Sequence, residues 1–198
     1  MLNRTLMGLL ALSLLSACSS ARAATLGALP DGWFVANTNN LTGITSDSYT
    51  IGIDNGVRYA GHPSAYIGSK SSAAASSSGT FMQTFSARSY LGKRVRFSAS
   101  VKTRDARFVG LWMRVDDSMT SVRFDNMRNR PIVGTTNWTA YSVVLGVPEN
   151  AVSISFGLLE VGTGEAWLNG VTFGTTDAPT TDTIGPSSLA SEPRNLTF

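Results

Sequence analysis

Between Arg94 and Lys102 apolar and polar residues alternate without a break. Val95, Phe97, Ala99 and Val101 take the odd positions; Arg94, Arg96, Ser98, Ser100 and Lys102 take the even ones. Side chains on a strand point alternately to opposite faces, so such a segment has one face for a core and one for water. Tyr49 to Ile53 and Thr80 to Phe85 alternate in the same way. Further strands are predicted over 110–116, 121–126, 139–147, 152–159 and 166–173. Turn chemistry bounds them: Asp116-Asp117, Asn129-Arg130-Pro131, Pro148-Glu149-Asn150 and Gly162-Thr163-Gly164. No window sustains a helical period. About eight to ten short strands at this spacing describe an all-β fold, a two-sheet antiparallel β-sandwich.

The ends read differently. Arg4 supplies a positive charge, and Leu6 to Leu15 form an apolar run too short to span a bilayer, which is the pattern of a secretory signal. Leu15-Ser16-Ala17-Cys18 resembles the lipobox of bacterial lipoproteins. That resemblance implies a signal peptide over 1–18 with a lipid on Cys18, and Ser19 in the next position implies the outer membrane. Cleavage after Ala21-Arg22-Ala23 is the alternative and gives a secreted or periplasmic protein. Cys18 is the one cysteine in the chain, so no internal disulfide can form. Residues 19–29 are expected to be a tether, 30–174 the sandwich, and 175–198 a flexible tail rich in Thr, Pro and Ser.

Composition narrows the function. Charged residues make up 15% of the chain and the net charge is +3, with the tightest basic cluster at Lys93-Arg94-Arg96. A nucleic-acid footprint would concentrate more charge on one face, so no nucleic-acid partner is expected. His62 is the one histidine, and no Gly-x-Ser-x-Gly elbow occurs. A zinc site needs more His and Cys than the chain owns. Asp116, Asp117, Asp125 and Glu160 carry no motif that would pair them as glycosidase carboxylates. The expectation is a protein that is not an enzyme.

The segment Gly110-Leu111-Trp112-Met113-Arg114-Val115-Asp116 has two faces. Leu111, Met113 and Val115 point to a core; Trp112, Arg114 and Asp116 point away from it. Indole, guanidinium and carboxylate together suit a polar ligand such as a sugar, whose apolar face stacks on indole while its hydroxyls bond the charged groups. The competing arrangement buries Trp112 and pairs Arg114 with Asp116 or Asp125. Asp125, Asn126 and Arg128 are further ligand candidates or simply turn caps. Gln83, between Phe81 and Phe85, is either a pocket donor or a satisfied core amide. Trp33, Trp138 and Trp167 are expected in the core.

Several segments resemble a known group. These are Gly79-Thr80-Phe81-Met82-Gln83-Thr84-Phe85, Tyr90 to Ser98, the Gly-Leu-Trp-Met-Arg-Val-Asp and Phe124-Asp125-Asn126-Met127 runs, Trp138 to Leu145, Val147 to Ala151, and Ala166 to Phe173. The block from Trp33 to Phe173 is similar to galactose-binding-like, carbohydrate-binding-module jelly rolls. More narrowly, it resembles accessory domains of bacterial peptidase-like, erythromycin-esterase-like and regulator-type proteins. The resemblance implies a jelly roll that binds a glycan, or else an envelope protein partner, through the face bearing Trp112 and Arg114. In that group the final strand usually carries paired Asp before an apolar residue, and related modules use acidic residues near that strand for a structural calcium. Asn169-Gly170 stand there instead, so the resemblance does not carry that calcium onto this chain, and no other cofactor is expected. Pro193-Arg194-Asn195-Leu196-Thr197-Phe198 resembles the Pro-x-Asn-Leu-x-Phe start of a further domain in longer relatives, which implies an accessory module without its catalytic partner.

Overall fold

The computed structural model describes residues 26–36, 44–119, 121–177 and 192–198. The signal segment and Cys18 lie outside the described residues. Nine strands follow one another: β1 (Phe34–Val35), β2 (Tyr49–Tyr59), β3 (His62–Ser69), β4 (Ser78–Ser86), β5 (Arg94–Asp116), β6 (Ser121–Asp125), β7 (Ile132–Gly146), β8 (Ser153–Val161) and β9 (Glu165–Thr176). The pairings between them are antiparallel.

The alternating segments 94–102 and 110–116 are parts of one 23-residue strand, not two strands. Its first half lies between β9 and β7, and its second half between β8 and β6. β5 therefore belongs to both layers. Sheet I runs β1-β4-β8-β5-β6, and sheet II runs β2-β3-β9-β5-β7. Register shifts between Val101 and Val109 interrupt the alternation at the crossing, where Asp105 takes a φ of 50°. The β8–β9 turn seats on this bend: Arg107 N–H donates to Thr163 O at 2.8 Å. Gly164 is required there, because a Cβ would stand 2.4 Å from Ala106 Cα. Strand β3 had no sequence signal. Pro63, Ser64, Gly68 and Ser69 dilute its pattern, and only Ala65 and Ile67 show its buried face.

Aromatic rings join the layers. Phe97 of sheet II meets Phe156 of sheet I at 4.6 Å between centroids, and Phe85 meets Phe173 edge-on at 5.1 Å. Leu111, Met113 and Val115 point into this core and are fully buried, as their alternation requires. Trp33 joins them beside Phe81 and Phe156. Two other tryptophans correct the expectation of core placement. Trp167 is buried on the outer side of sheet II, and Trp138 is half-buried there against Tyr59.

Of the tail expected over 175–198, residues 178–191 lie outside the described residues, and the two described ends are held by the sandwich. Thr175 and Thr176 continue β9. Residues 192–198 dock onto the sandwich: Trp33 Nε1 donates to Asn195 O at 2.9 Å, Asn195 Nδ2 donates to Asp31 O at 2.8 Å, and Phe198 packs 5.5 Å from Trp33. Replacing half-buried Phe198 by Ala should cost about 2 kcal/mol, near half the usual figure for a fully buried Phe. Urea unfolding checks this, and an unchanged midpoint would show that the docked segment contributes nothing.

Glu160 follows Ile154, Phe156 and Leu158 on the inward face of β8, and neither of its carboxyl oxygens has a hydrogen-bond partner among the described residues. Burial, reinforced by the charge of Glu165, pushes its pKa up to about 8. The folded state thus holds a proton that the unfolded chain releases above its ordinary 4.5. Stability from this group is full below that value and falls as pH rises through about 8. Glu160→Gln should flatten the fall. Melting temperatures from pH 5 to 9 test it, and parallel curves for the two proteins would refute it.

Candidate functional site

The outer face of sheet I is laid out by register. Thr84 of β4, Ser155 of β8, Arg114 of β5 and Phe124 of β6 are successive cross-strand partners. They form one row across four strands, about 14 Å long at the ordinary strand spacing. The Thr84 and Ser155 hydroxyls share a hydrogen bond of 2.9 Å. Arg114 Nε lies 2.9 Å from both oxygens of Asp116, two residues along the same face. Both side chains remain partly open to solvent, and Phe124 is 56% exposed. Phe124 was not singled out in the sequence, because only the β5–β6 register reveals that it stands beside Arg114.

Trp112 takes the second of its two expected arrangements, buried and beside an Arg114–Asp116 pair. It does point away from the core, but only 3% of its surface is exposed. Ala36, Ile44, Met82 and Leu159 cover it in a second small apolar cluster. Its Nε1–H donates to Thr80 Oγ1 at 2.8 Å, and Thr80 donates onward to Leu158 O at 2.7 Å. Gly157, opposite Trp112 in register, is held to glycine by the close approach of Phe81 O and Met82. Trp112 thus floors the face instead of offering a ring to a ligand. Phe124 meets it edge-on at 6.4 Å and is the ring that reaches solvent.

The remaining candidates do not converge on this row. Asp125 belongs to the β6 turn: its Oδ1 accepts Met127 N–H at 2.9 Å, and Arg130 bonds both of its oxygens. Burial acts to raise its pKa, but the Arg130 bonds and the Met127 N–H outweigh that and hold the carboxyl below its usual value. Asn126 Oδ1 caps the same turn by accepting Arg128 N–H at 3.2 Å, and the Arg128 side chain is exposed beyond it. Gln83 points inward and is a satisfied core amide. Its Nε2 donates to Arg194 O at 2.5 Å and its Oε1 accepts Arg194 N–H at 3.0 Å. Asn169 is structural as well, with Nδ2 donating to Pro63 O at 2.7 Å and Oδ1 accepting Gly170 N–H at 2.7 Å. Among the described residues no three His, Cys, Asp or Glu side chains gather as a metal site.

No protein-family model matches the chain. It is 43% identical over 162 residues to an uncharacterized HTH-type transcriptional regulator, YbfP, of Bacillus subtilis, a match covering 80% of this chain and 55% of the relative. The chain therefore spans about half the length of that relative. A helix-turn-helix needs two packed helices. The described residues hold only two short 3-10 turns, Ser46–Ser48 and Ala87–Tyr90. Among solved structures, the chain is similar to the CBM22-1 xylan-binding domain of Paenibacillus barcinonensis Xyn10C, with TM-score 0.54, 13% identity, and 79% of this chain and 93% of that one covered. The C-terminal family 22 carbohydrate-binding module of Clostridium thermocellum Xyn10B matches with TM-score 0.51 and 13% identity over 76% of this chain and 89% of that one. A Stig cyclase of Fischerella sp. TAU matches with TM-score 0.51 and 14% identity, covering 82% of this chain and 93% of that one. At these identities the likeness shows the fold: a jelly-roll sandwich of the carbohydrate-binding-module type, which also serves an enzyme.

Trp112→Phe keeps the apolar contacts and removes the bond to Thr80. It should lower stability by about 1–2 kcal/mol, the cost of leaving a buried hydroxyl short of one partner. Chemical denaturation measures it, and a variant as stable as the parent would show that Trp112 acts through packing alone.

Proposed function

We propose that this domain is a non-catalytic module that binds carbohydrate on the outer face of sheet I, held at the cell envelope by a lipid on Cys18. One observation carries the reading: the row Thr84–Ser155–Arg114–Phe124 sets an exposed ring beside a guanidinium–carboxylate pair and the Thr84 hydroxyl, which the buried Ser155 hydroxyl holds in place, all on paired strands. A sugar ring stacks on an aromatic face, while its hydroxyls exchange hydrogen bonds with Arg and Asp. Rigid strands hold these groups before the ligand arrives, which lowers the ordering cost of binding. Two matched folds named as xylan-binding or carbohydrate-binding support the same class of ligand.

The acid groups support a role without catalysis. Asp116 is held by Arg114 and Asp125 by Arg130. Glu160 and Glu165 feel one another's charge, yet Glu160 faces the core, while Glu165 bonds Tyr66 and Arg104 on the outside of sheet II. Glycosidic cleavage requires two apposed carboxyl groups, whereas Asp116 and Asp125 are each engaged by an arginine, and Glu160 and Glu165 face the core and the exterior. The similarity to part of a transcriptional regulator favours a unit reused beside different partners.

Titration of the protein against a panel of neutral plant and bacterial glycans tests the reading. At least one should bind, and Phe124→Ala with Arg114→Ala should weaken it tenfold or more. Equal binding by parent and variant would overturn the assignment of this face. A co-purifying protein lost on Arg114→Ala, with no glycan bound, would reassign the face to protein docking.

A further inference from the structure

The outer face of sheet II differs from that of sheet I in charge. The even positions of β5 point outward there, so Arg94, Arg96, Lys102 and Arg104 lie along one strand face. At about 3.3 Å per residue the line extends roughly 30 Å. Glu165 neutralises Arg104, which also lies 5.6 Å over the Trp167 ring. Asp54 is buried and accepts the Trp167 indole N–H at 2.8 Å. Among the described residues no carboxylate pairs with Arg94, Arg96 or Lys102. Their neighbours in register are Gly146 and Thr176 for Arg94, Val144 and Gly174 for Arg96, and Trp167 for Lys102. Exposed Asp177 lies one residue past Thr176, the β9 partner of Arg94.

Two further features make this a lined surface and not merely a charged one. Thr172, Ser98 and Ser142 are cross-strand partners, so three hydroxyls form a row between Arg96 and Lys102. Gly174 and Gly146 flank the arginines, no described residue lies within 4 Å of where their Cβ atoms would be, and Arg94 and Arg96 are exposed. Half-buried Trp138 and Tyr59, 5.1 Å apart between ring centroids, stand at the Lys102 end.

We infer that this face is a second subsite, for an acidic polysaccharide bearing uronate carboxylates. Charge complementarity selects a polyanion, because uncompensated cations spaced along a strand favour a chain that repeats its negative charge. The hydroxyl row suits a polyhydroxylated chain, because Ser and Thr hydroxyls can both donate to and accept from sugar hydroxyls. Arg94 and Arg96 meet carboxylates in the two-point geometry open to guanidinium, Lys102 supplies a point charge, and Trp138 takes a sugar ring at the end of the track. The inference rests on the glycan reading above for the class of polymer, but not on the face assigned there.

The full chain, titrated with polygalacturonate and with the same polymer methyl-esterified to neutrality, tests this subsite. Polygalacturonate should bind at least tenfold more tightly, and the preference should weaken with added salt. The Arg94→Gln, Arg96→Gln, Lys102→Gln protein should lose the preference while keeping the parent melting temperature. Phe124→Ala with Arg114→Ala should keep the preference. Equal affinity for the two polymers, or a preference untouched by the triple substitution, overturns this subsite and leaves the glycan reading standing. Binding of neither polymer nor any neutral glycan overturns both. Displacement of polygalacturonate by single-stranded DNA at a lower charge concentration reassigns the stripe to nucleic acid.

Discussion

The sandwich depends on a single strand that serves both of its layers. Because β5 passes from sheet II into sheet I, the two sheets cannot slide or rotate as separate bodies; their relative pose is set by the bend between Val101 and Val109. The left-handed turn at Asp105 and the close seat of Gly164 against Ala106 hold that bend. Everything displayed outward follows from it. The even-numbered side chains of the first half emerge on one exterior, those of the second half on the other, and a slip of one residue would exchange core for surface along the whole strand.

The two exteriors handle charge in different ways. On sheet I each charge in the row region finds its opposite close by, Arg114 with Asp116 and Asp125 with Arg130. On sheet II the cations of β5 have small or uncharged neighbours over most of their length. A modest net charge of +3 therefore conceals an uneven surface, since what a partner meets is the local field and not the total.

The fold class was legible because the alternation is clean wherever a strand has one wet face. It failed at two kinds of place. Bulges at the crossing hid that 94–102 and 110–116 are continuous, and β3 was missed because small residues and Pro63 leave only two apolar positions in it. The candidate face was half legible. The direction of Trp112 could be read from its neighbours, but its cover comes from Ala36 and Ile44, far upstream, and no local pattern encodes that contact. Gln83 shows the same limit, since its partner is the Arg194 backbone near the other end of the chain. The polar row of β5 was visible from the start as the wet half of the clearest strand; what it lacked was its neighbours on β7 and β9.

The docking of residues 192–198 has a geometric corollary. Asn195 reaches Asp31, and Phe198 lies against Trp33, so residues 31–33 and 192–198 close one corner of the sandwich together. The corner is a clasp: Asp31 and Trp33 hold a segment more than 160 residues further along the chain, so loosening either side frees both.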